Sequence, residues 1–171
     1  MRTLITGGAR SGKSALAERL AAMSHDVVYV ATATAGDAEM AERIAHHRAR
    51  RPAAWALVEE PVALAGTLAR VAAPQRYVLV DCLTLWLTNL LVADDETIFT
   101  KECNALLDIL PSLPGELILV TNEVGLGVVP LGALTRRFVD EAGRLNQAVA
   151  ARCDRVVMTI AGLPLPLKGN L

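Results

Sequence analysis

The sequence predicts an α/β fold, a mostly parallel central sheet with helices on both faces. Two observations carry that prediction. Short runs such as "YVLVD" at 77–81 and "ELILVT" at 116–121 are apolar at nearly every position, as strands buried on both faces are. Between these runs lie longer Ala- and Leu-rich stretches, so strand and helix alternate along the chain. With 171 residues, 53% of them apolar and 20% charged, the chain suits one domain with a real core.

The elements follow in order. Thr3 to Thr6 reads as a strand and Lys13 to Met23 as a helix. Val27 to Thr32 ("VVYVAT") is a second strand, and 37–50 has helical spacing. Trp55 to Val58 reads as a short strand, followed by a helix from Pro61, a residue suited to the first helical position. Tyr77 to Asp81 is a buried strand, with helical stretches at Leu83 to Val92 and Glu96 to Leu110. "PSLPG" breaks the chain before the strand Glu116 to Thr121. A Gly-rich loop then leads to a helix over Leu134 to Ala151, and Arg155 to Ile160 closes the sheet. The Pro-rich tail from Leu163 reads as loosely held. No internal repeat, low-complexity tract or domain boundary is visible, so a single domain over 1–171 is expected.

Bulk properties narrow the function. The net charge of -1 gives no basic excess for nucleic acid or an anionic membrane. No apolar run approaches the roughly 18 residues needed to span a bilayer. Three scattered cysteines argue against a disulfide framework or a zinc knuckle. Cys82 and Cys103 read as core residues. The cytoplasm is the expected compartment.

The motif that carries chemistry comes first in the chain. Gly7-Gly8-Ala9-Arg10-Ser11-Gly12-Lys13-Ser14 fits G-x-x-x-x-G-K-[ST] in full, after a strand and at the start of a helix. Glycines let the backbone turn tightly and aim N–H groups inward, and the helix N-terminus adds positive potential. Lys13 is expected to reach the β- and γ-phosphates, and Ser14 to ligate Mg2+. Arg10 is either a further phosphate contact or a solvated side chain. A carboxylate at another strand end is needed to hold Mg2+ through water, and Asp81 is the candidate, its alternative being to cap the next helix. The expected class is a P-loop NTPase with a RecA-like sheet. A motor or switch needs further machinery, so the compact chain favours an enzyme acting on a metabolite.

A second stretch, "GDAEMAERIAHHRARRP", holds an adjacent histidine pair. At about 100° per residue, Met40, Ile44 and His47 share one helix face. His46 points away from them, beside Glu39 and Glu42. Both histidines fit a charged surface helix. Alternatively one is a nucleophile, because neutral imidazole can attack phosphorus and carry a nucleotidyl group covalently. Periodicity does not choose between these.

The blocks "TGGARSGKS", "YVATA", "EMAERIAHHRARRP", "TNLL", "VTNEVGLGVVP" and "AGRLNQ", in this order, resemble the bifunctional adenosylcobinamide kinase / adenosylcobinamide-phosphate guanylyltransferase family of cobalamin biosynthesis. The likeness runs from Ile5 to about Leu167. It implies two reactions at one nucleotide site. ATP or GTP phosphorylates adenosylcobinamide, and GTP then gives GMP to a histidine, from which the cobinamide phosphate takes it as adenosylcobinamide-GDP. The resemblance makes His46 the modified residue. It carries the GTP contacts to Gly7, Gly8, Ala9, Arg10, Ser11, Gly12, Lys13 and Ser14. It also carries them to Ala31, Thr32 and Ala33, to His47, Arg48, Ala49 and Arg50, to Glu60 with Glu59 as the alternative, and to Asp81. It further suggests a homotrimer. Contacts in the small-residue segment "ATATAGDAEM" would be mainly backbone.

Physical reading adds a crevice at the strand ends, where open α/β sheets bind ligands. Thr32, Asp81 and Thr121–Asn122–Glu123 are expected along it. Glu123 would contact ligand or brace its loop. Arg136, Arg137 and Arg144 would pair with phosphate or with solvent. Two other functions compete: a plain P-loop kinase in which the histidines are incidental, and a nucleotide-binding regulatory module without turnover.

Overall fold

The structure is a computed structural model. It describes residues 1–34, 36, 38, 42 and 52–170. The expected helix over 37–50 falls almost wholly outside the described residues.

The described elements are β1 (Arg2–Gly7), α1 (Lys13–Ala21), β2 (Val27–Ala31), β3 (Ala56–Glu59), α2 (Leu64–Val71), β4 (Tyr77–Asp81), α3 (Leu83–Val92), α4 (Glu96–Ile109), β5 (Glu116–Val120), α5 (Ala133–Arg152), β6 (Arg155–Ile160) and β7 (Leu163–Lys168). A 3-10 turn, Leu110–Ser112, ends α4. The strands form one sheet in the order β3-β2-β4-β5-β1-β6-β7. Every pairing is parallel except β6 with β7.

The alternation of each strand explains why the runs are apolar throughout. On one face Leu4, Val28, Val30, Val78, Val80, Leu117 and Leu119 pack with residues of α2, α3, α4 and α5. On the other, Ile5, Val27, Tyr29, Leu79, Ile118 and Val120 pack against Leu16, Ala17 and Ala21 of α1. Trp86 is fully buried and donates its indole N–H to Val62 O at 2.7 Å.

Two expectations are corrected. The helix expected from Pro61 begins instead at Leu64. The Glu60 carboxylate takes the Val62 and Ala63 amides at 3.0 and 2.7 Å, which holds 60–63 in a bend before the helix. The tail is not loose: Leu163–Lys168 is an antiparallel edge strand on β6. Its turn is built at Ala161 and Gly162, both left-handed with φ 52 and 81. Pro164 and Pro166 lie two residues apart and so on the same side of the strand, which an edge strand tolerates because that side needs no ladder bond.

The register brings the functional ends together. Ala31 lies opposite both Glu59 and Asp81, Asp81 opposite Val120, and Val120 opposite Ile5. Five carboxyl ends thus form one row, with the phosphate loop leaving β1 at its rim.

Candidate active site

The loop from Gly7 to Ser14 is shaped by glycine where no other residue fits. Gly7 has φ 145, and a Cβ there would stand 2.4 Å from Thr159 O and 2.7 Å from Ser11 Oγ. Gly12 has φ 99 and passes Gly162, whose Cα would be 3.1 Å from an added Cβ. At Gly8, by contrast, a Cβ would meet nothing within 4 Å. The protein itself does not require glycine at this position, and the open space is where a phosphate would need to approach the backbone.

The loop is braced from the far end of the chain. Ser11 Oγ and Thr159 Oγ1 are 2.7 Å apart, and Gly162 N donates to Ser11 O at 3.0 Å. Lys13 is only 7% exposed and its ammonium donates to Gly8 O at 2.6 Å, across the loop. Burial lowers its pKa from the ordinary lysine value, while nearby Cys82 and Asp81 act in the opposite sense. A buried ammonium held by one carbonyl is poised to take an anionic partner. Arg10, left-handed at φ 55, is exposed and has no partner among the described residues.

Asp81 faces the α1 side of the sheet. Its Oδ2 accepts the Tyr29 hydroxyl at 3.2 Å, which leaves Oδ1 for another ligand. The Ser14 hydroxyl is half-buried and has no hydrogen-bond partner among the described residues. Hard oxygen donors of this kind suit Mg2+, completed by water and phosphate oxygens. Among the described residues no group of three or more His, Cys, Asp or Glu side chains forms a metal site independently of a nucleotide.

Other predicted residues are held by the scaffold. Thr32 is completely buried; its hydroxyl donates to Cys82 O at 2.7 Å and accepts from Cys82 N at 2.9 Å. It therefore pins the end of β2 to the segment after Asp81. Ala31 O accepts Glu60 N at 2.9 Å, and half-buried Ala33 follows at the rim. Glu60 Oε2 also accepts the Thr67 hydroxyl at 3.0 Å, so its carboxylate holds the start of α2. His46, His47, Arg48, Ala49 and Arg50 lie outside the described residues.

Burial opposes ionisation of Glu60, but the amides of Val62 and Ala63, the Thr67 hydroxyl and nearby Arg70 outweigh it and depress its pKa. A depressed carboxylate stabilises the fold above the ordinary value of 4.5 and loses that contribution as pH falls through its lower folded value. Glu60→Ala should therefore cost about 1 kcal/mol at neutral pH, the net worth of a typical hydrogen bond. In urea melts taken across pH, the gap from the parent should narrow in acid.

Several structural contacts escaped the sequence reading. Asn89 of α3 donates to Thr32 O and Pro61 O at 2.8 and 3.1 Å, and Thr34 donates to its Oδ1 at 3.2 Å. One side chain thus ties together the loops after β2 and β3. Thr84 Oγ1 accepts Asn122 N at 2.6 Å, and the Thr121 hydroxyl donates to Asn146 Oδ1 at 2.8 Å. The signal was available: these are polar residues set into otherwise apolar elements.

Glu123 braces its loop, taking Gly125 N at 2.8 Å, while its own N–H donates to Gly7 O at 3.0 Å. Arg136 donates to Pro130 O and Leu131 O. Arg137 pairs with Glu96 and lies 5.4 Å from the centre of the Phe99 ring, and Arg144 pairs with Glu141 at 2.6 Å. All three arginines thus have partners within the chain. Burial, then Asp81, pushes the Cys82 thiol up to about 12, and burial raises Cys103 to about 11, so both behave as core residues.

Sheet order, phosphate loop and strand-end aspartate together define a P-loop NTPase. Solved structures share the fold. An ATPase of a type III secretion system from pathogenic bacteria superposes with TM-score 0.58 at 12% identity, covering 96% of this chain and 56% of that one. A Pyrococcus horikoshii protein gives TM-score 0.58 at 7% identity, covering 99% and 87%.

Within that class, residues 3–167 match the family model described as cobinamide kinase / cobinamide phosphate guanyltransferase, and the chain belongs to that family. It is 66% identical to the bifunctional adenosylcobalamin biosynthesis protein CobP of Pseudomonas aeruginosa, over 99% of each chain. It is 40% identical to the corresponding CobU proteins of Escherichia coli and Salmonella typhimurium, over 98% of this chain and all of each relative.

Proposed function

We propose that this chain, as one domain, phosphorylates adenosylcobinamide with ATP or GTP and then guanylylates the product to adenosylcobinamide-GDP. Family membership supports both steps. The observation that carries the reading is the phosphate loop, with buried Lys13 near Asp81 at the carboxyl edge of the sheet.

In the first step the substrate hydroxyl attacks the γ-phosphorus in line; its O–P bond forms as the β–γ bridging bond breaks. Lys13 and the loop amides neutralise charge on the phosphates. Ser14 and Asp81 hold Mg2+, which offsets phosphate charge when bound. In the second step a ring nitrogen of His46 attacks the α-phosphorus of GTP, and pyrophosphate leaves. A phosphate oxygen of the cobinamide phosphate then displaces the imidazole. Gly7 to Ser14, Ala31 to Ala33, His47 to Arg50, Glu60 and Asp81 are the proposed nucleotide contacts.

We read the assembly as a homotrimer. Leu126, Val128, Val129 and Leu131 are 73 to 98% exposed on one loop, apolar surface that a neighbouring copy would cover. No helix among the described residues is long and apolar enough to cross a membrane, and we propose a cytoplasmic enzyme.

The test uses GTP labelled at the α or the γ position. Retention of α-label alone on denatured protein, labile to acid and stable to base, is the expected result. Consumption of GTP with a corrinoid but no retained label leaves a plain kinase, and no consumption sinks the enzyme reading. In the same assay Asp81→Asn should raise the Mg2+ concentration required for half-maximal nucleotide binding. An unchanged Mg2+ dependence would leave Asp81 only as the acceptor of the Tyr29 hydroxyl, because the expected alternative, capping of α3, is not seen: that helix has no side-chain cap.

A further inference from the structure

Asn122 has a fixed backbone and an uncommitted side chain. Its N–H donates to Thr84 Oγ1 at 2.6 Å and its carbonyl accepts Asn146 Nδ2 at 3.4 Å. Its half-buried side-chain amide has no partner among the described residues. A half-buried amide that no described group of the chain engages is reached by solvent and is free to donate to a ligand.

The direction of that amide follows from the strand. Thr121 N donates to Ile5 O and Glu123 N to Gly7 O, so the ladder between β5 and β1 continues past Val120 to Glu123. Side chains therefore still alternate there. Leu119 packs on the α2–α5 side and Val120 on the α1 side. Thr121 returns to the α5 side, bonding Asn146. Asn122 thus belongs on the α1 side, with Lys13 and Asp81. Because β5 lies between β1 and β4, Asn122 stands between the phosphate loop and the metal-site carboxylate.

Building on the nucleotide site proposed above, we propose that Asn122 donates its side-chain amide to the terminal phosphate of the bound triphosphate. The loop and Lys13 secure the phosphates nearest β1. The end of the phosphate chain then lies toward Asp81, where Asn122 is the neutral donor held in place. The contact makes the site favour a triphosphate over a diphosphate.

The experiment measures binding to the full-length protein by calorimetry in Mg2+. The ligands are the α,β-methylene analogues of GTP and GDP, which block attack at the α-phosphorus. Asn122→Ala should weaken the triphosphate analogue about tenfold to a hundredfold, the range for a hydrogen bond to a charged group, and leave the diphosphate analogue within about twofold. Its melting temperature should match the parent, because no intrachain bond is lost. Asn122→Asp, which keeps the shape and replaces the donor with a charge, should discriminate against the triphosphate more strongly. Equal losses for both analogues, or no loss for either, overturn the proposal. Parent protein that binds neither analogue overturns the nucleotide site itself, and this contact with it.

Discussion

Lys13→Ala is expected to abolish most of both activities at once. The ammonium is buried and held by a single carbonyl, Gly8 O, so its removal breaks little of the fold. What is lost is the positive charge facing the phosphates. A contact of this kind is worth a few kcal/mol in the transition state, on the order of a hundredfold or more in rate. Because one loop serves both reactions in this reading, phosphorylation of cobinamide and labelling by α-labelled GTP should fall together. The melting temperature should stay within a few degrees of the parent. A folded variant with full kinase activity would contradict a single shared nucleotide site.

His46→Ala should separate the two activities that Lys13→Ala removes together. The phosphate loop offers no nucleophile for the α-phosphorus, since Lys13 is a charged donor and Ser14 is assigned to the metal. Imidazole titrates near neutral pH, so much of it is unprotonated and able to attack. The variant should form no GMP–protein adduct and no guanylyl product, while phosphorylation of the hydroxyl largely survives. His47→Ala should weaken both steps moderately and keep the adduct. If the His46 variant retains α-label and the His47 variant does not, the roles within the pair are reversed. If both retain it, the plain-kinase reading returns.

The inner strands β2, β4 and β5 were legible because burial on both faces leaves almost no polar position to confuse the pattern. The phosphate loop was legible because its spacing is set by backbone geometry local to a few residues. The edge strand β7 was missed because its prolines read as breakers, although the alternation "LPLPLK" has the period of a strand. The start of α2 was misjudged because a preceding glutamate, not the proline, controls it. Least legible were the braces. Asn89 meets Thr32 across 57 residues, and Tyr29 meets Asp81 across 52, and no local pattern announces a pair so far apart. Thr32 shows the same limit: its position in a family block says where it lies, while only the fold shows its hydroxyl turned to Cys82.

The brace on the phosphate loop has a consequence for how the protein is made. β1 leaves the ribosome well before its sheet neighbours β5 and β6, which come from 116–120 and 155–160. The contacts of Ser11 with Thr159 and Gly162 come later still in synthesis than β5. A nascent chain therefore carries this apolar inner strand unpaired until more than a hundred further residues have been made, and such non-local pairing is slow and open to aggregation. Nucleotide cannot be gripped before then: the phosphate loop takes its final shape only when the hairpin of β6 and β7 has emerged.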